Sequence, residues 1–293
     1  NNNKDAMKIS IILIFFAFFS FTTKSAPFRI AAYNIENYDS DKKATNKNEL
    51  IKILFEVAPD IMSVEEIVNK ESFYSLIESQ LPFYSVQVSK CGGRGNQNLG
   101  FIWNPKRFKL ISFVEDLRLS IGSNNETPTC DMSSRPVAIG IFRDLIKNTD
   151  IVFMSLHLKA QGTPEAHEKR IFQLGMADII KNELRKQGYH NFVMMGDFNT
   201  TEFMTSQGKA SYLSIFKKMN MLDLGDGIQC TNYWHGGTED GLYEPSILDH
   251  IIMSSDMVFS YNYIKSNTHA HCAKTKCHAS RTSGELGKSF SGV

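Results

Sequence analysis

Short apolar runs suited to buried strands alternate along this chain with longer amphipathic segments suited to helices, which restricts it to an α/β architecture. The strand candidates are FRIAAYNI (28–35), DIMSVEE (60–66), LGFIWN (99–104), VAIGIF (137–142), IVFMSLHL (151–158), NFVMMGD (191–197) and LDHIIMS (248–254). The helix candidates are 48–58, 71–81, 164–187 and 209–220. In the third of these, Ile171, Leu174, Ile179, Ile180 and Leu184 recur at helical spacing; Thr163 is placed to cap it, Pro164 takes its first position and Gly188 ends it. No linker rich in Pro, Gly or Ser divides the chain, and only 120–135 reads as a long polar loop. A single α/β domain over 27–293 is therefore expected.

Where these apolar runs stop, they deliver chemistry. NFVMMGDFNT carries Asp197 and Asn199 to the end of a strand. Glu66 closes DIMSVEEI, Asn34 follows FRIAAY, His157 follows IVFMSL, and Asp249 opens LDHIIMS, whose next residue, His250, points to the opposite face. Singly, such residues cap turns and strand ends. Five strand ends that each present a carboxylate, amide or imidazole form a site if the ends converge.

In their order, YNIENY, PDIMSVEEI, SSRPVAIGIF, SLHLKA, GDFNT and LDHIIMS resemble the motifs of the endonuclease/exonuclease/phosphatase superfamily, metal-dependent phosphodiesterases that include the secreted deoxyribonucleases. The resemblance covers nearly all of the chain after residue 26, and Gly-Asp-Phe-Asn after an apolar strand is its most specific piece. It implies a four-layered αββα sandwich, two packed mixed β-sheets flanked by helices. It also implies that Glu66 holds a magnesium ion, with Asn34 beside it, since a hard cation prefers oxygen donors; Mn2+ or Ca2+ are alternatives. Asp197 would orient and deprotonate the attacking water, and Asn199 would fix that water or the phosphate oxygen. His157 would donate a hydrogen bond to the phosphate or the leaving oxygen, Asp249 belongs to the same catalytic set, and Arg135 would grip the phosphate through its guanidinium fork.

The sequence departs from that pattern at two places. An acid that supports the histidine in deoxyribonuclease-like members is replaced here by Asn96-Gln97-Asn98, so Gln97 is a candidate for the substrate side of the site. Family members close with a Ser-Asp-His stretch, and the sequence reaches GKSFSGV where that stretch would begin.

Composition, at 42% hydrophobic and 11% aromatic, is that of a globular protein. Met7-Lys8 and the apolar run from Ile9 to Phe21 precede small residues at Thr23, Ser25 and Ala26, which reads as a secretory signal ending near residue 26, with Asn1–Ala6 an upstream extension. The alternative is a membrane anchor, although the run is shorter than the ~20 residues a span requires. The expected location is thus secreted or periplasmic. Loss of Lys4, Lys8, Lys24 and Asp5 with that segment takes the formal charge from +1 to −1, so no global basic field draws nucleic acid. The end segment is locally basic, with Lys265, Lys274, Lys276, Arg281 and Lys288 against Glu285. An oxidising compartment favours disulfides among the five cysteines: Cys272–Cys277 first, Cys91–Cys130 second, Cys230 left over. Zinc in HAHCAKTKCH is the alternative.

These features lead to a secreted, magnesium-dependent endonuclease acting on DNA as a monomer. One alternative keeps the chemistry and takes a phospholipid or phosphoinositide head group. Another is a non-catalytic binding or toxin-accessory member.

Overall fold

The computed structural model describes residues 27–279 apart from 42–43, 226, 235–241 and 261–263. The predicted signal segment and the end of the basic tail lie outside the described residues.

Two sheets carry the fold. The first contains β1 (Ile30–Tyr38), β2 (Ile61–Ile67), β3 (Ser85–Val88) and β4 (Asn98–Trp103) in the order β1-β2-β4-β3. The second contains β5 (Phe108–Asp116), β6 (Val137–Asp144), β7 (Thr149–His157), β8 (Phe192–Asp197), β9 (Met221–Asp223) and β12 (Asp249–Ser254) in the order β5-β6-β7-β8-β12-β9. A small hairpin, β10 (Asn232–Trp234) with β11 (Glu244–Ser246), stands apart from both. Each large sheet is mixed: β1 runs parallel to β2 and β7 to β8, and the remaining pairs are antiparallel.

Strand alternation sorts the apolar side chains into three cores. Ile61, Phe101, Trp103, Phe142, Ile151, Phe153, Val193, Met195 and Met253 meet between the two sheets. The rings there meet edge to face: Phe142 lies 5.6 Å from Phe101 and 5.7 Å from Phe153. Val152, Met154, Leu156, Phe192 and Met194 project the other way, under α3 (Pro164–Lys186) and α4 (Ser206–Lys218). Met62, Val64 and Ile102 do the same beneath α1 (Lys47–Val57) and α2 (Lys70–Gln80). The result is the expected helix–sheet–sheet–helix order.

The helices start where side-chain caps allow. Asn46, Asn69 and Thr163 accept from the free N–H groups of Glu49, Ser72 and Ala166, and Pro164 fills the first position of α3. The four helix candidates and seven strand candidates are all present, within about three residues at each end. Beyond these the structure has β3, β5, β9, the hairpin, α5 (Ser255–Phe259) and α6 (Ala270–Thr275). No helix among the described residues is long and apolar enough to cross a membrane.

The cysteine pairing needs a correction. Cys91 joins Cys130 as expected, but Cys277 joins Cys230, and Cys272 is the free, buried thiol. Closeness in sequence favoured Cys272–Cys277; the chain instead brings Cys230 to them across 47 residues.

Candidate active site

Alternation inside the sandwich fixes which strand-end residues face one another. Ile30 and Ala32 of β1, Ile61 of β2, Ile151 and Phe153 of β7, Val193 and Met195 of β8, and Ile251 and Met253 of β12 all face the other sheet. Continuing each strand by twos places Asn34, Glu65, His157 and Asp197 on that same inner face, with Asp249 at the opening of β12. Register brings them into rows. Asp197 is paired with His157 on one side and with Asp249 on the other, while Asn34 is paired with Glu65.

Glu66 would point outward by the same rule. It does not, because the pairing with β4 slips between Val64 and Ile67, the pairing with β1 slips after Glu65, and Glu66 itself takes φ 62°. This bulge turns the side chain back toward the strand ends. Glu36, Asn37 and Asn199, beside it, also have positive φ, at 52°, 57° and 51°.

The side chains interlock. Asn34 Nδ2 donates to Glu66 Oε1 at 3.1 Å and to Asp197 Oδ2 at 3.0 Å, while its oxygen accepts from the Glu36 N–H at 2.9 Å. Asn34 therefore bridges two carboxylates rather than offering its oxygen to a cation. Glu66 Oε2 accepts from the Asn37 N–H at 3.0 Å and from Gln97 Nε2 at 2.7 Å. Gln97 Nε2 also reaches Asn37 Oδ1 at 2.9 Å, so Gln97 supports the glutamate. The Asn199 N–H donates to Asp197 Oδ1 at 2.8 Å, and the Asn199 side chain donates to the Leu158 carbonyl.

His157 is 2% exposed and its Nε2 lies 3.7 Å from Glu66 and 3.8 Å from Asp197. Arg135, also buried, holds the ring: its Nη2 lies 2.7 Å from Nδ1 and contacts Nε2 as well. The guanidinium can only donate, so the ring nitrogen it bonds is an acceptor. Burial first and the Arg135 charge second hold His157 well below the ordinary histidine range, so the ring is neutral.

Charge is out of balance here. Burial pushes Glu66 and Asp197 above the ordinary carboxylate range, against the hydrogen bonds from Asn34 and the field of Arg135. Asp249 is pushed up further by burial and then by the charges of Asp197 and Glu65. Glu65, beneath them, is raised to about 8, chiefly by burial. Asp249 Oδ1 and Glu65 Oε2 are buried without a hydrogen-bond partner. The two orphaned oxygens have the hard-donor chemistry that a divalent cation prefers, although among the described residues no three of these acidic side chains bring ligand atoms within 4.8 Å of one another.

Three contributors escaped the sequence reading. Glu65 was passed over for its neighbour, although strict alternation assigns it to the inner face. Asn37 joins Gln97 to Glu66. Thr231 Oγ1 accepts from the Leu248 and Asp249 N–H groups at 3.0 and 2.9 Å, anchoring the start of β12; no local signal marks it. A basic flank adjoins the site: Lys159 is pulled below the ordinary lysine range by burial and then by the charges of Lys169, Arg135 and Arg170. His250, as expected, faces away, bonded to Asp223 and Thr200.

No protein-family profile matches the chain, and no curated protein matches it. Solved structures do. A mannosyl-6-phosphatase from Bacteroides thetaiotaomicron superposes with TM-score 0.57 at 18% identity, over 78% of this chain and 85% of its own. The human nocturnin catalytic domain gives 0.56 at 16%, over 78% and 83%. TDP2 from D. rerio, complexed with a single-strand DNA product, gives 0.56 at 14%, over 78% and 84%. An endonuclease/exonuclease/phosphatase family protein from B. thetaiotaomicron gives 0.57 at 18%, over 78% and 82%. The protein has the endonuclease/exonuclease/phosphatase fold that its ordered motifs implied.

Proposed function

We propose that the protein is a metal-dependent hydrolase of phosphoester bonds, and that its substrate is the phosphodiester backbone of DNA. The convergence of Glu66, Asp197, Asn34, His157 and Arg135 at one end of the sandwich carries this reading. Glu66 would hold a magnesium ion, and the ion would supply positive charge for the phosphate oxygens.

The protein's own groups account for the rest. Asp197, which burial pushes above the ordinary carboxylate range, is a stronger base than an exposed aspartate and so suited to taking a proton from water. Asn34 and the Asn199 N–H fix its two oxygens, so the carboxylate cannot rotate away from that water. Neutral His157 keeps one N–H to donate to a phosphate oxygen, and Arg135 brings the cationic field to the same point. The strongest support for a polyanion over a small phosphate monoester is the flank of Lys159, Lys169 and Arg135, which extends the positive field beyond the reacting centre.

Incubating the protein with supercoiled plasmid and Mg2+ tests the proposal. Nicking that stops with chelator is expected. Absence of metal-dependent nicking would overturn the DNA reading, and absence of hydrolysis of an activated phosphodiester as well would overturn the hydrolase. Phosphate or head-group release from phosphoinositide vesicles without nicking would move the substrate to lipid.

A further inference from the structure

The cysteines that the catalytic reading leaves unused form a compact group of their own. Cys230 precedes the hairpin, while Cys272 lies in α6 and Cys277 just after it; all three sulfurs are within 4.8 Å of one another. Cys230 and Cys272 are buried, with Tyr233 packed beside them, and Cys277 is half-buried. Any one disulfide among three cysteines leaves a third sulfur in the same pocket. Here that sulfur is Cys272, whose thiol is pushed up to about 12, by burial first and the charge of Asp249 second.

We infer that Cys230, Cys272 and Cys277, once the Cys230–Cys277 bond is reduced, form a thiolate site for a soft divalent cation of the zinc class. A tetrahedral zinc–thiolate site sets its sulfurs about 3.8 Å apart, from Zn–S bonds of about 2.3 Å. The three sulfurs already lie within reach of that spacing. Two molecules of a small thiol reductant open the bond: they leave as their own disulfide and give Cys230 and Cys277 one hydrogen each. Metal binding then displaces three thiol protons to solvent. The small-molecule disulfide reverses the sequence: it takes the two electrons from Cys230 and Cys277, re-forming their bond and yielding two small thiols, while the metal leaves and Cys272 takes back its proton, so the group holds either a disulfide or a cation.

The backbone is suited to this exchange. Cys272 and Cys277 bracket the last turn of α6, where the Cys277 N–H meets the Cys272 carbonyl at 3.3 Å and Lys276 and Cys277 take φ 52° and 55°. Cys230 arrives from a separate segment, so a metal would cross-link the same two parts of the chain as the disulfide does. Thr231 follows Cys230 directly and anchors Asp249, which places the group one residue from the support of the catalytic end of β12. The inference stands independently of the hydrolase proposal.

Cadmium is the probe, because its thiolate bonds absorb in the ultraviolet and its carboxylate bonds do not. Full-length Cys91→Ser/Cys130→Ser protein, which lacks the other disulfide, is reduced, freed of reductant without oxygen and titrated with Cd2+ in saturating Mg2+. One Cd2+ per chain with a three-thiolate band is expected, and the oxidised protein should give no band. Cys272→Ala, which can still form Cys230–Cys277, should lose about a third of the band because one of three sulfurs is gone. No band in the reduced protein, or an unchanged band in Cys272→Ala, overturns the inference. If reduction unfolds the chain, Cd2+ must restore the native circular dichroism of this protein and not of its Cys272→Ala form; restoration of both, or of neither, overturns it as well.

Discussion

Asp249 and His250 are consecutive residues of β12 that face opposite sides of one sheet, and their surroundings are built on opposite principles. On the outer face, His250 Nδ1 meets Asp223 Oδ2 at 2.8 Å, its Nε2 meets Thr200 Oγ1 at 2.7 Å, and Phe198, Phe203 and Phe216 pack around the ring. Burial alone would push Asp223 up, but the hydrogen bond and charge of His250 outweigh it and the carboxyl lies below its ordinary range. On the inner face, Asp249 meets Asp197 and Glu65, keeps an oxygen without a partner, and is pushed well up. One buried carboxylate is matched and supports the fold. The other is mismatched, and that is the condition the proposed cation would relieve.

The largest effect expected is on the mismatched side. Asp197→Asn removes the proposed base and should lower turnover by about 10²–10⁴-fold in plasmid nicking. Because it also removes a crowded charge, the thermal midpoint should hold or rise. A variant that loses activity by unfolding would make Asp197 a structural residue like Asp223 and collapse the comparison.

The matched side should respond in the opposite sense. Asp223→Asn or His250→Ala breaks a buried pair and should cost about 3–5 kcal/mol in denaturant unfolding, with turnover of the remaining folded protein little changed. The pH dependence has a definite sign. The folded Asp223 value lies below the unfolded one, so its stabilisation is present above the unfolded value and is lost as pH falls through the folded one. Wild type should therefore lose more stability on acidification than Asp223→Asn does.

This pairing of faces was partly legible in the sequence, since alternation along LDHIIMS already separates Asp249 from His250, and apolar runs ending in Asn34, His157 and Asp197 already imply one shared end. Three things were not legible. Glu66 reaches the site only through a bulge, and a bulge is a property of two paired strands that neither sequence announces alone. Arg135 holds His157 across a loop closed by long-range pairing. Cys230 finds Cys277 by tertiary approach, against the sequence proximity that favoured Cys272. Strand β5 was missed for another reason: as a sheet edge it alternates exposed and half-buried residues, with Ile111 and Val114 at the surface, so its apolar pattern is diluted.

Glu65 offers a sharper test of the mismatch, because it lies beneath the site and is not expected to touch substrate. Its folded value of about 8 lies above the 4.5 of a free glutamate, so its contribution is complete below pH 4.5 and is lost as pH rises through 8. Glu65→Gln should flatten the decline of metal-free stability across that window, a difference on the order of a few kcal/mol at its upper end. Parallel curves for wild type and variant would mean that Glu65 is ionised in the fold and already satisfied.

The smallest effect, and the one that joins the two faces, is stabilisation by the cation itself. A ligand that binds only the folded chain adds about 2.7 kcal/mol at a concentration 100-fold above its dissociation constant. For a chain of this size that corresponds to a rise in the midpoint of about 5–10 °C. Mg2+ should produce such a rise in wild type, and chelator should remove it. Glu66→Gln should abolish the rise, because the residue expected to hold the ion has lost its charge. His250→Ala should melt earlier yet keep the full increment, since its pair lies on the far side of the sheet. If His250→Ala lost the increment too, the two faces of β12 would be energetically coupled, and Asp249 would owe its position to the matched pair behind it.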